Sequence, residues 1–219
     1  MKNNILFNLV LSMTKQDEFS SSKSANRGPA IDIDHVLNTA ANLFADHGFD
    51  GVSTREIAKA CGCSLPIIYY HFSNKQTLYN EAFANRIEDA IDIIRGRMSD
   101  DMSARDRLKQ LVAGFFDLFT QERSLLLLVQ RDIAQVASSQ GQFLCRRQHI
   151  YFMRFIRDLA SEVLGHEADA HTVFTINAML LGYVEFYHLV NEGGEKLPGE
   201  SDEARIAALQ ESVLRVLGV

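Results

Sequence analysis

Residues Ser53 to Phe72 read STREIAKACGCSLPIIYYHF, and these twenty positions spell two short helices joined by a tight turn. Ser53 followed three residues later by Glu56 is a capping box, in which each side chain satisfies the other's orphan backbone N–H. Thr54 and Arg55 then stand on the first turn of the helix, and Ile57, Ala58 and Cys61 make its small apolar face. Gly62 supplies the left-handed residue that ends the helix and redirects the chain. Ser64 is placed to cap the second helix, Pro66 is tolerated in its first turn, and Ile68 and Phe72 point inward at i and i+4. Leu65, Ile67, Tyr69, Tyr70 and His71 remain for the outer face. So apolar and aromatic a face calls for a partner surface. Two short helices around a Gly turn are the pattern of a helix-turn-helix DNA reader.

The flanks make this pattern specific. Before it stand Val36, Leu37, Ala40, Ala41, Leu43 and Phe44, with Gly48 and Phe49; after it runs Tyr70-His71-Phe72-Ser73-Asn74-Lys75-Gln76-Thr77-Leu78. From Ile31 to Leu78 the chain resembles the tetracycline-repressor (TetR) family of regulators. The resemblance implies DNA contacts from Thr54 and Arg55, from the exposed face of the next helix (Leu65, Pro66, Ile67, Tyr69, Tyr70 and His71), and from Lys75 to a phosphate. Arg55 is the one group of this set able to grip a guanine edge bidentately, while Leu65 and Ile67 offer only apolar contact to thymine methyls. Base readout is therefore thin, and phosphate positioning and DNA shape carry more of the recognition. Lys75 sits in the first turn of its helix, where the dipole disfavours a cation. A phosphate partner accounts for it.

Composition bounds the rest. The 219 residues carry 22 Lys+Arg against 28 Asp+Glu, a formal net charge of -6. The deficit is not shared evenly: residues 1–80 hold seven of each sign, leaving 15 basic against 21 acidic residues beyond. Arg27, Arg55, Lys59 and Lys75 are the basic groups available to phosphates. Three Cys do not make a disulfide framework and point to a reducing, cytoplasmic compartment. Cys61 and Cys63 lack the partners of a zinc site and, like Cys145, read as inert small side chains; no metal or cofactor is expected. Ile5 to Leu11 (ILFNLVL) is a weak match to a signal peptide, read instead as a disordered leader, with Met13 as an alternative start. Residues 1–29 form a flexible arm, and no later segment is expected to span a bilayer.

Past Lys75 the pattern is helix after helix. A second capping box at Ser73 and Gln76 opens a long helix to about Arg97, with Leu78, Ala82, Ile87, Ile91 and Ile94 inward. Ser103 caps the next, and further helices are predicted over 122–136, 140–164, 169–191 and 203–217. The stretch 169–191 is apolar nearly all round and must be covered on more than one side. The fold class is all-α, of about nine helices: an N-terminal three-helix DNA-binding domain over 30–78 and a larger helical domain over 79–219.

The TetR resemblance makes that larger domain a ligand-binding and dimerisation domain. Candidate interface residues are Leu180, Tyr183, Val184, Tyr187, Leu209 and Val213. Candidate pocket residues are Phe115, Phe119, Phe152, Phe155, Phe174 and Tyr183, with Arg131, Arg154 and Arg157 as selectors of an acidic ligand if turned inward. Asp132 beside Arg131 offers a surface pair. The implied protein is a ligand-responsive repressor that binds a palindromic operator on double-stranded DNA as a homodimer and is released by a small-molecule effector, with residues 74–97 as the lever. Alternatives are an activator of the same family and a helix-turn-helix protein acting through protein contacts. There is no Gly-rich phosphate loop, nucleophile elbow or His/carboxylate metal motif to suggest an enzyme.

Overall fold

Ile33–His47 forms α1 because Asp32 caps it, accepting the His35 N–H at 3.1 Å, and because Val36, Leu37, Ala40, Ala41 and Phe44 recur on one face, all buried. In this computed structural model, residues 31–137, 146–192 and 201–219 are described. The arm over 1–29 and Cys145 lie outside the described residues. Eight further helices follow among those described: α2 (Thr54–Ala60), α3 (Leu65–His71), α4 (Lys75–Arg95), α5 (Ala104–Gln121), α6 (Arg123–Ala137), α7 (Arg146–Leu164), α8 (Ala170–Glu192) and α9 (Asp202–Leu217). The chain is all-α, as its periodicity predicts, with no strand among the described residues.

The two-helix unit forms by the local chemistry its sequence announces. Ser53 Oγ accepts the Glu56 N–H at 3.2 Å, and Glu56 accepts the Ser53 N–H at 2.7 Å. At the far end Gly62 takes φ +67°, its N–H donates to Lys59 O, and the Cys63 N–H donates to Ala58 O at 2.9 Å. That pair of bonds is a Schellman closure, which satisfies carbonyls the helix end would otherwise orphan. Two caps differ from expectation. Ser64 occupies the N-cap of α3 but its side chain makes no capping bond. Pro66 has no N–H to offer, and the Ile67 N–H donates to the Ser64 backbone carbonyl at 3.0 Å instead. The Ser73–Gln76 box is not formed either: Asn74 caps α4 by accepting the Thr77 N–H at 2.8 Å, while Gln76 donates to Asn80.

Residues 31–219 pack as one unit. α1 lies against α4 and α6; α4 continues against α5 and α7; α5 is packed by α7, α8 and α9. The inward stripe of α4 (Leu78, Ala82, Ile87, Ile91, Ile94) therefore runs from the core of the reader into the core of the larger bundle. By length and composition α8 is apolar enough to cross a membrane, with a mean hydropathy of 1.3 over its most apolar window, contrary to the expectation that no such segment exists. Here Val173, Ile176, Leu180 and Val184 are buried in the bundle.

Two predictions come from these termini. Gly62→Ala meets no atom within 4 Å, so its whole cost is the left-handed backbone, about 1 kcal/mol. A Cβ on Gly51 would stand 2.2 Å from the His47 carbonyl oxygen, so Gly51→Ala must displace backbone and costs about 2–3 kcal/mol. Urea midpoints followed by circular dichroism should rank the two in that order. Backbone and side-chain hydrogen bonds from Ser53 lower the Glu56 pKa. A carboxylate whose folded pKa is depressed adds stability above its unfolded value and loses it as pH falls through the folded one. The stability gap between wild type and Glu56→Gln should therefore be fully open at neutral pH and close on acidification below the ordinary glutamate range, as read from urea midpoints across pH 3–7.

Candidate DNA-binding face and effector cavity

The capping box leaves Thr54 and Arg55 on the outer first turn of α2, and α3 crosses beside it with Ile68 and the following Phe72 buried. The Thr54 and Tyr69 hydroxyls meet at 3.0 Å, so the opening of α2 and the middle of α3 are tied by their polar tips. Tyr70 is 51% exposed, and Pro66, Arg55 and Lys59 are exposed with it. The structure thus ties Thr54 to Tyr69 and leaves Arg55, Tyr69 and Tyr70 exposed on the two helices. It treats three other candidates differently. Leu65 is half-buried and packs against the core, because α3 is short and its first turn leans on the cluster that also holds Cys61 and Cys63. His71 turns inward: its ring stands nearly perpendicular to that of Tyr70 at 5.0 Å and its Nε2 is buried, so that nitrogen is not offered to a phosphate. Lys75 does have a partner within the protein, its Nζ lying 4.4 Å from the centre of the Phe49 ring. This cation–π contact supplies the stabilising role that helix position alone does not. Cys61 and Cys63 are free thiols, both raised in pKa by burial, and no cluster of metal-ligating side chains occurs among the described residues.

Arg131 is not in a pocket. From α6 its Nε donates to Ala45 O at 2.7 Å and its guanidinium to Asp46 O at 2.8 Å, so it holds the last carbonyls of α1, where the helix dipole favours a cation. Asp132 is no surface residue. It is 0% exposed, accepting the Tyr79 hydroxyl at 3.3 Å and meeting His149 Nε2 at 3.0 Å. Consecutive residues on a helix point about 100° apart, so the two neighbours cannot pair and instead reach different elements.

His149 also lines a cavity of about 50 Å³ between α4, α5, α6, α7 and α8. Phe115, Phe119 and Phe152 line it, as the aromatic spacing suggests, together with Gln148 and Asn177. The other pocket candidates do not. Phe155 is core, with the Arg95 guanidinium 4.8 Å from its ring centre; Phe174 is exposed on the far side of α8. Arg157 faces Asp158 and Glu167 at 3.6 and 3.8 Å, and Arg154 is not part of the lining.

A separate groove of about 510 Å³ lies along α8 and α9. Tyr183 and Tyr187 line it. Leu180, Val184, Val213 and Leu209 are interior to the protomer and cannot serve as interface residues, apart from the edge of Leu209 that reaches the groove. Phe186 and Leu189, 66% and 67% exposed, are with Phe174 the large apolar side chains that α8 leaves exposed. Residues 173, 176, 180 and 184 define its inner stripe.

Comparison with known proteins agrees with this geometry. Residues 36–82 match the model of bacterial regulatory proteins, tetR family. The chain is 30% identical over 87 residues, 40% of each protein, to the HTH-type transcriptional activator FasR of Mycolicibacterium smegmatis. It is 32% identical over 105 residues to the negative transcriptional regulator IcaR of the biofilm operon icaADBC in Staphylococcus epidermidis, covering 48% of this chain and 55% of IcaR. The chain thus spans about half the length of the curated relatives it matches. Its fold is that of the regulator FadR from Bacillus subtilis, solved in complex with stearoyl-CoA, with a TM-score of 0.62 at 17% identity over 85% of this chain and 97% of FadR. The helix-turn-helix built from Ser53 to Phe72 lies inside the stretch that matches the tetR family model, and in that segment the chain is similar to the DNA-binding part of TetR-family regulators.

Proposed function

We propose that this protein is a ligand-responsive transcriptional repressor of the cytoplasm, binding a palindromic operator as a homodimer and leaving it when a small molecule enters the cavity at His149. The observation that carries the reading is the outer face of α2 and α3, where Arg55, Tyr69 and Tyr70 are presented together on a family-matched framework. One α3 covers a few base pairs, so a twofold dimer with readers about 34 Å apart is needed for a specific site. The groove between α8 and α9, with Phe186 and Leu189 beside it, supplies apolar surface for that dimer. An aromatic-lined cavity in the bundle supplies a place for an effector. Similarity to FasR, an activator, favours a second reading in which the same DNA binding raises transcription. Promoter fusions separate the two by sign.

In vitro selection from random duplexes should return an inverted repeat. Tyr70→Ala should weaken binding to it about tenfold or more. Lys75→Ala should flatten the slope of log K against log salt by about one unit if its ammonium meets a phosphate. Phe49→Leu, which keeps that charge and removes only the cation–π contact, should leave the slope unchanged; an unchanged slope in Lys75→Ala would make the lysine purely structural. For the dimer, Phe186→Glu combined with Leu189→Glu buries two carboxylates in any α8 interface. The variant should elute as a monomer in light-scattering chromatography and bind operator at least tenfold more weakly, with the helical content of wild type.

A further inference from the structure

Asp132 and Arg131 join the cavity to the reader through a single turn of α6. Asp132 is wholly buried, and a buried carboxylate depends on its hydrogen-bond partners to a degree that a surface one does not. Its two partners belong to different parts of the molecule. Tyr79 is on α4 with its ring packed on Phe44 and Phe49 of the reader, at 4.9 and 5.3 Å between centres; His149 is on α7 in the cavity wall. One residue back, Arg131 clamps the end of α1. His149 meets the carboxyl through Nε2, at 3.0 Å from Oδ2.

The cavity itself indicates a ligand class. Its walls are apolar except for Gln148, His149 and Asn177. At about 50 Å³ it is well below the roughly 150 Å³ that an enclosed site needs for benzene, so a bound molecule has to displace part of the lining. Met153, unbranched and adaptable, is in that lining. Free and bound states must then differ in structure, which gives a ligand the differential affinity that switching requires.

We propose, resting on the regulator reading above, that the effector is a compact molecule with an apolar body and a hydrogen-bonding head, and that the head signals by drawing His149 away from Asp132, so that α6 shifts and Arg131 releases the end of α1. Asp132 is the positioning residue of this relay, acting on the reader through Tyr79 and Arg131. Ligands that fill the aromatic part without a head bind and do not signal.

The test uses the full chain with phenol and benzene as probes, which share a ring and differ by the head, and 1-hexanol as a second alcohol. Histidine side-chain NMR, with His149 assigned by His149→Gln, reads the head. The Nε–H of Arg131, held by Ala45 O, reads the clamp through its exchange rate. Phenol should shift the His149 ring nitrogens, speed Arg131 Nε–H exchange severalfold and lower affinity for the selected operator at least fivefold, with benzene doing none of these. In Asp132→Asn the ratio of operator affinities without and with phenol should fall towards one while the His149 shift persists. Tyr79→Phe, which removes one hydroxyl, is the second variant if Asp132→Asn does not fold, and should lower the same ratio. No His149 shift with phenol or 1-hexanol at saturation overturns the ligand class. An effect of benzene equal to that of phenol overturns the role of the head, and a wild-type ratio in the variant that folds overturns the relay. If no duplex is selected, the regulator reading fails by itself, and the His149 shift and Arg131 exchange still decide the proposal.

Discussion

Tyr79 belongs to two cores at once, and the placement of the reader depends on it. Its ring is 1% exposed and is met edge-on by Phe44 and Phe49, so it completes the interior of α1 to α3. Its hydroxyl reaches past that interior to Asp132 on α6. A tyrosine combines an apolar body with a polar tip, and here the tip fixes the rotation of α4 against α6 while the body fixes α4 against α1. Arg131 closes the third side by holding the α1 carbonyls. One aromatic wedge and one guanidinium thus add polar ties to the packing of α1 on α4 and α6 that sets the reader against the larger bundle. A change in α6 can reach α1 without passing through α2 or α3.

What could be read from the sequence is what local chemistry decides. The Ser53 box and the Gly62 closure form as written because their partners lie within five residues, and the inward stripes of α4 and α5 form because 3.6-residue spacing leaves one way to bury them. Errors begin where a side chain has a distant choice. Arg131 with Asp132 looked like a surface pair, although adjacent helix positions do not face one another, and each side chain found its partner on another helix. Lys75 reads from its helix position as a phosphate ligand alone, because Phe49, which its cation covers, is 26 positions away. Two of the interface candidates on α8, Leu180 and Val184, failed for a related reason. A helix apolar nearly all round has two faces of equal hydropathy, and only the neighbours α5, α7 and α9 decide that Leu180 and Val184 face in while Phe186 and Leu189 face out.

The same helix bears on how binding and assembly communicate. Asn177 and Leu181 line the cavity, whereas Ala178, Met179, Gly182 and Tyr183 line the outer groove, so the two spaces are separated by the thickness of α8 alone. Packed interiors respond to an added group by moving whole elements, since the interior has little free volume to absorb it. A molecule that enlarges the inner cavity on that side presses on the outer groove. One that acts on His149, across the cavity on α7, loads α6 instead.

In the homodimer proposed above, those two routes have different consequences. Pressure on α8 would change the angle between protomers and so the distance between two α3 helices that remain well formed. Loss of the Asp132 contact acts inside each protomer and loosens α1 against α6, altering how rigidly each reader is held. The exposed face of α2 and α3 has few groups able to grip bases bidentately, and most of its contacts are suited to phosphate and shape. Such a face depends on holding its register along the duplex, because phosphate contacts position the protein without identifying the sequence. It follows that a modest gain in freedom at the end of α1 costs this reader more than it would one anchored by many base-specific hydrogen bonds, which makes the Arg131 clamp the sensitive point of the molecule.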